Sequence, residues 1–393
     1  MGLERALRTV LLGQWRPSLP AWLRQQLRLI PQGYNVVLTL DQEFQAAAYE
    51  ELRRSGKVGC IVAIQPATGE VLVAANRPAL DPYASTAQEW LAAYDSKPNA
   101  PPFCYRKVYP PGSVLKTLVA AAALETGSVA PEETFLCQGV YHPPGPGKPI
   151  FDFGRAVHGP LTLHQALIPS CNCVFAQVGV RLGWQKLFDF ADRAGFNRFI
   201  PLIPAELRGE ETLVCSQSVL WEGGRWAEEV PKEWKQPNVL ARTALGEFNV
   251  RVTPLYLALW AAAIANGGKM MEPSVVKAIT DAQGRILWRL QPRVWLKVMS
   301  PQTASLLTAM MVDAVEKGTG RSARIPGVAV AGKTGTPEAR EGRNYALFIA
   351  FAPADAPQVA LAVVLEDTPE TGGRVAAPMA KRLLQRMLGG GLE

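Results

Sequence analysis

Three short motifs stand in a fixed order along the 393-residue chain and limit how it can fold. They are Ser113-Val114-Leu115-Lys116, Ser170-Cys171-Asn172 and Lys333-Thr334-Gly335-Thr336. The first lies between a Pro-Pro-Gly turn at 110–112 and a helix-forming run at 117–124, and the third follows the apolar stretch 328–331. These patterns predict a helix start, a loop and the end of a strand. For the motifs to act together, those three places must meet in one cleft.

The S-x-x-K spacing has little weight alone, because it arises by chance about once in a chain of this size. Ser274 and Lys277 show the same spacing, but they follow Pro273 and no S-x-N lies between them and the K-T-G. Ser113 has the turn, the helix and both other motifs downstream. We therefore favour a catalytic role for these residues over the structural interpretation. In the structural interpretation Ser113 and Lys116 are ordinary residues of a helix start and Ser170 is a helix cap.

The residue types in the first motif favour a catalytic nucleophile, Ser113, paired with a general base, Lys116. A serine hydroxyl is a weak nucleophile at neutral pH and needs a base within hydrogen-bond reach. Lys116 lies three residues after Ser113, on the same helix face. A lysine serves as that base only if burial or a second cation, which Lys333 could supply, lowers its pKa. We expect Ser113 to attack a carbonyl, Lys116 to take its proton, and Ser170 to relay a proton between Lys116 and an amine.

The remaining motif residues fit a peptide substrate. Asn172 lies two residues beyond Ser170, so in a short loop or extended stretch both side chains project to one side of the cleft. Its amide would bond a peptide carbonyl of the substrate and hold Lys116. Gly335 at a strand end would leave room for a substrate backbone to pair alongside.

With these motifs the chain resembles the transpeptidase domain of the penicillin-binding proteins, of the class B type, over residues 35–388. The three motifs are a form of that family's established signature. Flanking phrases of the family also match, at 36–41 with Gln45, 59–66, 68–72, 252–255, 265–268, 318–320 and 331–333. The resemblance implies an α+β fold in which a five-stranded antiparallel sheet is flanked by helices and packs on an all-helical lobe. The hairpins predicted around 66–69 and 353–357, the helical runs between them and a closing helix at 375–388 agree with it.

The resemblance also implies the roles of the site residues. The backbone N–H groups of Ser113 and Thr336 would form the oxyanion hole, worth about 3 kcal/mol per donor in other serine enzymes. Lys333, Thr334 and Thr336 would hold the terminal carboxylate of the substrate. The implied activity is peptidoglycan D,D-transpeptidation, in which Ser113 forms an acyl-enzyme from a D-Ala-D-Ala stem peptide. A β-lactam would acylate the same serine.

Other outcomes of the same acylation stay open. A D,D-carboxypeptidase lets water resolve the ester, and a β-lactam sensor or scaffold would be acylated without turnover. A β-lactamase needs a base aimed at water, and the acidic stretch 206–211 lacks the E-x-x-x-N pattern of class A enzymes. The acceptor amine and the choice between elongation and division are not specified by these motifs.

The composition of the chain restricts the ligands and partners that we expect it to bind. With 48% hydrophobic and 19% charged residues the chain is globular, and its net charge of +7 accompanies no nucleic-acid motif. His142, His158 and His164 show no metal or catalytic spacing, and Cys171 and Cys173 are too few for a closed zinc site. We therefore predict no metal and no cofactor, with both cysteines as small apolar packing residues. Six cysteines fit an oxidising compartment poorly unless they are buried or paired.

Residues 1–31 form a separate short basic segment ahead of the predicted transpeptidase domain at 32–393. Its face of Leu19, Trp22, Leu23, Leu27 and Ile30 opposite Arg24 and Arg28 suits either an interfacial helix at the membrane or docking on the catalytic domain. The family acts at the outer face of the bacterial cytoplasmic membrane, or in the periplasm, and no export or anchor segment is visible in this chain. A glycosyltransferase region is also not seen, so a separate membrane glycosyltransferase is the expected partner.

Overall fold

The computed structural model describes residues 3–15, 32–79, 104–208, 212–221 and 230–389, apart from the side chain of Trp234. The α-helices in these ranges are α1 Leu3–Ala6, α2 Arg8–Leu11, α3 Gln42–Ser55, α4 Lys116–Glu125, α5 Leu163–Leu167, α6 Asn172–Arg193, α7 Pro237–Ala244, α8 Pro254–Ala265, α9 Pro301–Glu316 and α10 Gly372–Met387. The strands are β1 Asn35–Leu38, β2 Gly59–Ile64, β3 Val71–Arg77, β4 Thr134–Cys137, β5 Val140–Tyr141, β6 Ile150–Phe151, β7 Gly159–Thr162, β8 Ile200–Pro201, β9 Val214–Cys215, β10 Lys269–Met271, β11 Val276–Thr280, β12 Ile286–Arg289, β13 Val294–Lys297, β14 Ala331–Gly335, β15 Glu338–Arg340, β16 Arg343–Ala352 and β17 Val359–Thr368.

The central sheet has the strand order β14-β16-β17-β2-β3, and every neighbouring pair is antiparallel. Both predicted hairpins are present, as β2 with β3 and β16 with β17. The predicted α+β fold is confirmed. The sheet also carries a short sixth strand, β15, which pairs with β16 beyond the end of β14.

The two faces of the sheet belong to two hydrophobic cores. Along β2, Cys60, Val62 and Ile64 point into the larger core, while Ile61 and Ala63 point into the smaller one. A strand buried on both faces reads as a continuous apolar run, and Gly59–Ile64 does so. The smaller core lies under α3 and α10, and the larger one lies between the sheet and the helical lobe.

The helical lobe is organised around helices that are buried on all sides. Helix α8 is apolar around its whole circumference, and residues Pro254–Ile264 are all buried. It packs on β17, β2 and β16, while α4 packs on α6 and α9. Because Lys116 opens α4, this burial brings a charged side chain into the lobe.

The two helical runs predicted at 174–181 and 184–194 are both present within α6. They meet at a kink at Gly183, which has φ 78° and ψ 161°. Glycine adopts such a conformation without a Cβ penalty, so the chain changes direction there and helical residues continue on both sides.

The described part of the N-terminal segment, residues 3–15, packs against the rest of the molecule. Leu7 and Val10 are buried in the larger core, and the Trp15 indole N–H donates to the Glu206 carbonyl at 3.0 Å. The apolar face predicted from Leu19 to Ile30 lies outside the described residues, so the segment boundary stays a prediction. Within the described ranges, no helix has the length and apolar character needed to cross a membrane. All six cysteines are buried and free.

Candidate active site

The first motif begins in a tight turn. Gly112 has φ +52°, and a Cβ there would lie 2.8 Å from Cδ of Pro337, so only glycine fits. Residues Gly112–Leu115 form a 3₁₀ turn that leads directly into α4. Side chains three residues apart eclipse in a 3₁₀ turn. The predicted shared face of Ser113 and Lys116 therefore arises at a junction of 3₁₀ and α-helix.

The Lys116 side chain is completely buried. Its Nζ donates to the Ser170 carbonyl at 2.6 Å, to Asn172 Oδ1 at 2.7 Å and to Ser170 Oγ at 3.3 Å. These three bonds use the whole donor capacity of an ammonium group. To accept a proton from Ser113, Lys116 must first lose one.

Ser170 lies between α5 and α6 in the left-handed region, with φ 62°. A serine there is uncommon, and such conformations occur often at functional sites. The conformation places Ser170 Oγ 2.9 Å from Lys333 Nζ as well as 3.3 Å from Lys116 Nζ. Of the short loop or extended stretch expected from sequence, the structure therefore has a short loop, with Ser170 in the left-handed region and Asn172 already in the helix.

Asn172 is the first residue of α6, and the Cys171 side chain caps that helix. Asn172 Oδ1 accepts the bond from Lys116, and Nδ2 donates to the Phe151 carbonyl at 3.1 Å. The predicted role of holding Lys116 agrees with this geometry. The second N–H of the amide is available for a substrate carbonyl.

Both lysines of the site have lowered pKa values. Burial lowers the pKa of Lys116 from 10.5 to about 8. The pKa of Lys333 lies well below its usual range, first because of burial and second because of the Lys116 charge. Of the two causes expected to lower the pKa of Lys116, burial is therefore the one that acts, and the Lys333 charge does not contribute to it. Ser170 Oγ lies between the two amines.

The K-T-G-T run covers the last three residues of β14, which are buried, and the half-buried Thr336 that follows. Lys333 Nζ donates to Ser170 Oγ at 2.9 Å and to the Thr334 carbonyl at 3.0 Å, so two of the donors of this buried amine are used inside the protein. Thr334 Oγ1 bonds Thr319 Oγ1 at 2.8 Å, and Thr336 Oγ1 accepts from the Gly372 N–H at 3.0 Å. Since an accepting hydroxyl keeps its own proton, Thr336 still has a donor for an anion.

The absence of a side chain at Gly335 allows a close contact within the protein. A Cβ at Gly335 would lie 2.7 Å from the Pro111 carbonyl oxygen and 2.9 Å from Val114 Cγ2, both in the turn around Ser113. This contact sets the end of β14, and hence Thr336, beside the nucleophile, as an oxyanion hole of the Ser113 and Thr336 N–H groups requires. The predicted space for a substrate backbone stays a prediction, and so does the oxyanion hole itself.

The second S-x-x-K is no rival site. Ser274 is buried, and its Oγ donates to the Val276 carbonyl at 2.8 Å. Lys277 lies on β11, exposed, with its Nζ 3.7 Å from Glu70. Ser274 therefore stabilises a turn, and Lys277 forms a surface ion pair.

One residue that contacts the S-x-N motif, Asp152, was not predicted from the sequence. Asp152 is buried, and its Oδ1 accepts the backbone N–H of Asn172 at 3.1 Å and of Phe153 at 2.9 Å. The aspartate before a Phe153-Gly154-Arg155 turn is a capping signal, but nothing in the linear sequence connects it to Asn172.

A serine, two buried lysines and an asparagine that meet between an antiparallel sheet and a helical lobe define a serine acyltransferase of the S-x-x-K class. Residues 59–385 match the family described as the penicillin binding protein transpeptidase domain. The chain belongs to this family, and the sequence-based prediction of the family is confirmed.

Known relatives agree with the family match. The chain is 32% identical to the peptidoglycan D,D-transpeptidase PbpA of Mycolicibacterium smegmatis, over 91% of this chain and 73% of the relative. Its fold is similar to the ceftriaxone acyl-enzyme of penicillin-binding protein A from Mycobacterium tuberculosis, with a TM-score of 0.84, 29% identity, and coverage of 99% of this chain and 88% of that one. A D,D-transpeptidase domain from Eggerthella lenta gives a TM-score of 0.80 at 29% identity, covering 98% and 91%.

Proposed function

We propose that this chain is a peptidoglycan D,D-transpeptidase that works through a Ser113 acyl-enzyme and is acylated by β-lactams at the same serine. The observation that carries the proposal is the position of Ser170 Oγ, within hydrogen-bond reach of both Lys116 and Lys333. Lys116 directly follows the 3₁₀ turn that holds Ser113. The family match and the names of the relatives support the reaction class.

Acylation begins with the neutral form of Lys116. Ser113 Oγ attacks the carbonyl carbon of the penultimate D-alanine of a stem peptide, and its proton passes to Lys116 Nζ. The oxyanion forms beside the N–H groups of Ser113 and Thr336. The C–N bond then breaks, and the terminal D-alanine leaves as an amine that receives the proton from Lys116 through Ser170.

Deacylation reverses the proton path. An amine of a neighbouring stem peptide attacks the Ser113 ester and loses a proton through Ser170 to the lysine pair, and Ser113 Oγ recovers a proton as it leaves. One peptide bond is broken and one is made, so no energy source is needed. A carboxypeptidase would differ only in having water in place of the amine.

The substrate peptide binds along the end of β14 and the residues that follow it. The backbone beyond Gly335 pairs with the extended stem peptide, as in other cases of strand addition. Thr334 and Thr336 hold the terminal carboxylate by their hydroxyl groups, and the buried charge of the lysine pair favours an anion there. Asn172 donates its free N–H to the peptide carbonyl.

Partners and location follow from the reaction. Peptidoglycan stem peptides meet the enzyme at the outer face of the cytoplasmic membrane, and a separate membrane glycosyltransferase supplies the glycan strands. The basic segment 1–31 would assist peripheral contact with that surface.

The test is intact-mass analysis after incubation with penicillin G, followed over hours. Wild type is expected to gain the mass of one opened β-lactam, and Ser113→Ala to lose acylation by more than about 10⁴-fold, because no other residue replaces a nucleophile. Ser274→Ala is the matched control, since it removes the serine of the other S-x-x-K, and it keeps the adduct. An adduct on Ser113→Ala, or none on wild type, contradicts the proposal.

A stem-peptide assay separates the alternatives. Release of D-alanine with incorporation of an added amine acceptor is expected. Release without incorporation identifies a carboxypeptidase, a stable adduct without release identifies a sensor or scaffold, and rapid loss of the adduct with drug hydrolysis identifies a β-lactamase.

A further inference from the structure

Apolar side chains are exposed along residues 285–297, the part of the chain that contains β12 and β13 and is called here the β12–β13 segment. The exposed fractions are 51%, 42% and 44% for Ile286, Leu287 and Val294. Their neighbours hold the segment in place, since Trp288, Trp295 and Leu296 are half-buried and pack against the larger core. Single exposed apolar residues are common on protein surfaces, but a group of them on one anchored segment marks a surface that binds something.

Strand β12 is also the edge of a sheet. It is the last strand in the order β1-β11-β12, and its other side pairs with no strand of the described ranges. Proteins usually protect such an edge with charged side chains. Arg285 and Arg289 flank the apolar residues of β12 in this way.

The charge of the β12–β13 segment has only one sign. Its charged residues are Arg285, Arg289, Arg293 and Lys297, and the chain has no Asp or Glu between 281 and 313. Arg285 pairs with Asp281, and Arg293 pairs with Glu206 and Glu272. Arg289 and Lys297 are exposed, and no carboxylate in the described part of the chain pairs with either of them. Two cations therefore remain free beside the apolar side chains.

A pair of like charges across two strands adds a third free cation. Lys269 lies directly opposite Lys297 in the antiparallel pairing of β10 with β13, and both are exposed. Like charges directly opposite each other destabilise a sheet. An anion bound from outside the protein would offset this repulsion.

The combination of side chains indicates the kind of partner. Aliphatic residues that enter the boundary between headgroups and acyl chains, with Lys and Arg around them, are typical of proteins that lie on a membrane surface. Tryptophan is enriched at the same depth, and Trp288 and Trp295 belong to this segment. Lysine and arginine side chains near the surface are attracted by anionic lipids.

We propose that the β12–β13 segment is a peripheral binding surface for membranes that contain anionic phospholipids. Ile286, Leu287 and Val294 enter the headgroup region. The cations Lys269, Arg289 and Lys297 contact the lipid phosphates. No residue of this surface belongs to the acylation site or to segment 1–31, so the inference goes beyond the proposed function and fixes which side of the enzyme faces the membrane.

The test is sedimentation of the full chain with vesicles of mixed phosphatidylglycerol and phosphatidylcholine, compared with vesicles of phosphatidylcholine alone. Wild type is expected to bind the anionic vesicles at least about tenfold more tightly, and to lose this preference in about 1 M salt. Arg289→Glu combined with Lys297→Glu is expected to lower the partition coefficient on anionic vesicles by more than about 30-fold. Lys297→Glu also replaces the like charges on β10 and β13 by opposite charges, so this variant keeps its fold.

Lys186→Glu combined with Arg386→Glu is the matched control. It makes the same change of net charge at exposed cations of α6 and α10, and it is expected to bind the anionic vesicles like wild type. Equal losses in the two double variants would show that only net charge matters, and unchanged binding of Arg289→Glu with Lys297→Glu would place the contact elsewhere, for example in 1–31. Either result overturns the proposal, as does a wild type without preference for anionic vesicles.

Insertion of the apolar side chains is measured separately. Because all six native cysteines are buried, Leu287→Cys supplies a thiol that can be labelled selectively with an environment-sensitive fluorophore. Anionic vesicles are expected to shift its emission to the blue, and to leave that of Leu306→Cys unchanged, since Leu306 is a similarly exposed leucine on α9. Equal spectra at the two positions contradict the proposal. Penicillin acylation in solution stays at the wild-type rate in all of these variants, so failure of the membrane surface and failure of the transpeptidase proposal are distinguishable.

Discussion

At the scale of single residues, the site depends on two lysines buried without a carboxylate partner among their hydrogen bonds in the described chain. Lys116 and Lys333 are both completely buried and bond only to neutral oxygens. A buried ammonium is costly, so the group responds by releasing its proton more readily. The lowered pKa is thus a direct consequence of packing.

The pH dependence of acylation follows from this pKa. In the proposed mechanism neutral Lys116 takes the proton of Ser113. With a pKa of about 8, the neutral fraction of Lys116 rises about tenfold per pH unit below that value. We expect the second-order rate constant for penicillin G acylation to rise from pH 6 and level off above about 8. A profile that is flat or that falls over this range contradicts Lys116 as the base. Circular dichroism at each pH checks that the fold is unchanged.

At the scale of elements, α6 shows how a single residue shapes a helix that carries site residues at its start. Gly183 interrupts α6 eleven residues after Asn172, in a conformation that disfavours any side chain. A Cβ there would meet nothing within 4 Å, so no clash adds to the conformational cost.

Gly183→Ala is expected to destabilise the protein by about 1–3 kcal/mol, the cost of holding alanine in this region of φ and ψ. The penicillin acylation rate of the folded protein stays unchanged, because Gly183 takes part in none of the hydrogen bonds of Lys116. Thermal unfolding measures the stability, and the time course of intact mass with penicillin G measures the acylation rate. A stability equal to wild type would show that α6 adopts a regular helix there.

At the scale of the whole molecule, an ion-pair network connects the sheet to the segment that leads into the nucleophile turn. Glu366 on β17 accepts from Lys107 Nζ at 2.7 Å and from the Tyr109 hydroxyl at 2.6 Å, and its side chain is only 12% exposed. The backbone of Tyr109 pairs with Val252, just before α8. The network therefore joins the sheet, the nucleophile segment and the helical lobe.

Glu366→Gln is expected to lower the free energy of unfolding by about 2 kcal/mol, because two charge-assisted hydrogen bonds lose their anion. Glu50→Gln is the matched control, since Glu50 pairs with Arg53 and Arg54 on the exposed face of α3 and solvent screens that pair. Urea denaturation compares the variants. Equal effects of the two substitutions would show that the Glu366 network adds nothing beyond a surface ion pair.

The sequence by itself determined the elements and the chemistry. Continuous apolar runs specify the buried strands β2 and β17 and the buried helix α8, since an apolar surface of that kind is stable only when covered. The spacing of Ser113 and Lys116 predicted a nucleophile and its base, and the K-T-G-T run predicted the strand end that the structure contains. These properties are local, so they can be recognised within a few residues.

Only the tertiary structure decided how the local pieces meet. Three features of the site join segments far apart in the chain. Ser170, in its left-handed conformation, lies between two lysines, the Ser113 turn packs against Gly335, and Cys137, Asp152 and His158 converge on Cys171. The pKa values of Lys116 and Lys333 likewise depend on burial, which is a property of everything packed around them. Distances across such contacts are set by the folded core, so they leave no periodic or local signal in the sequence.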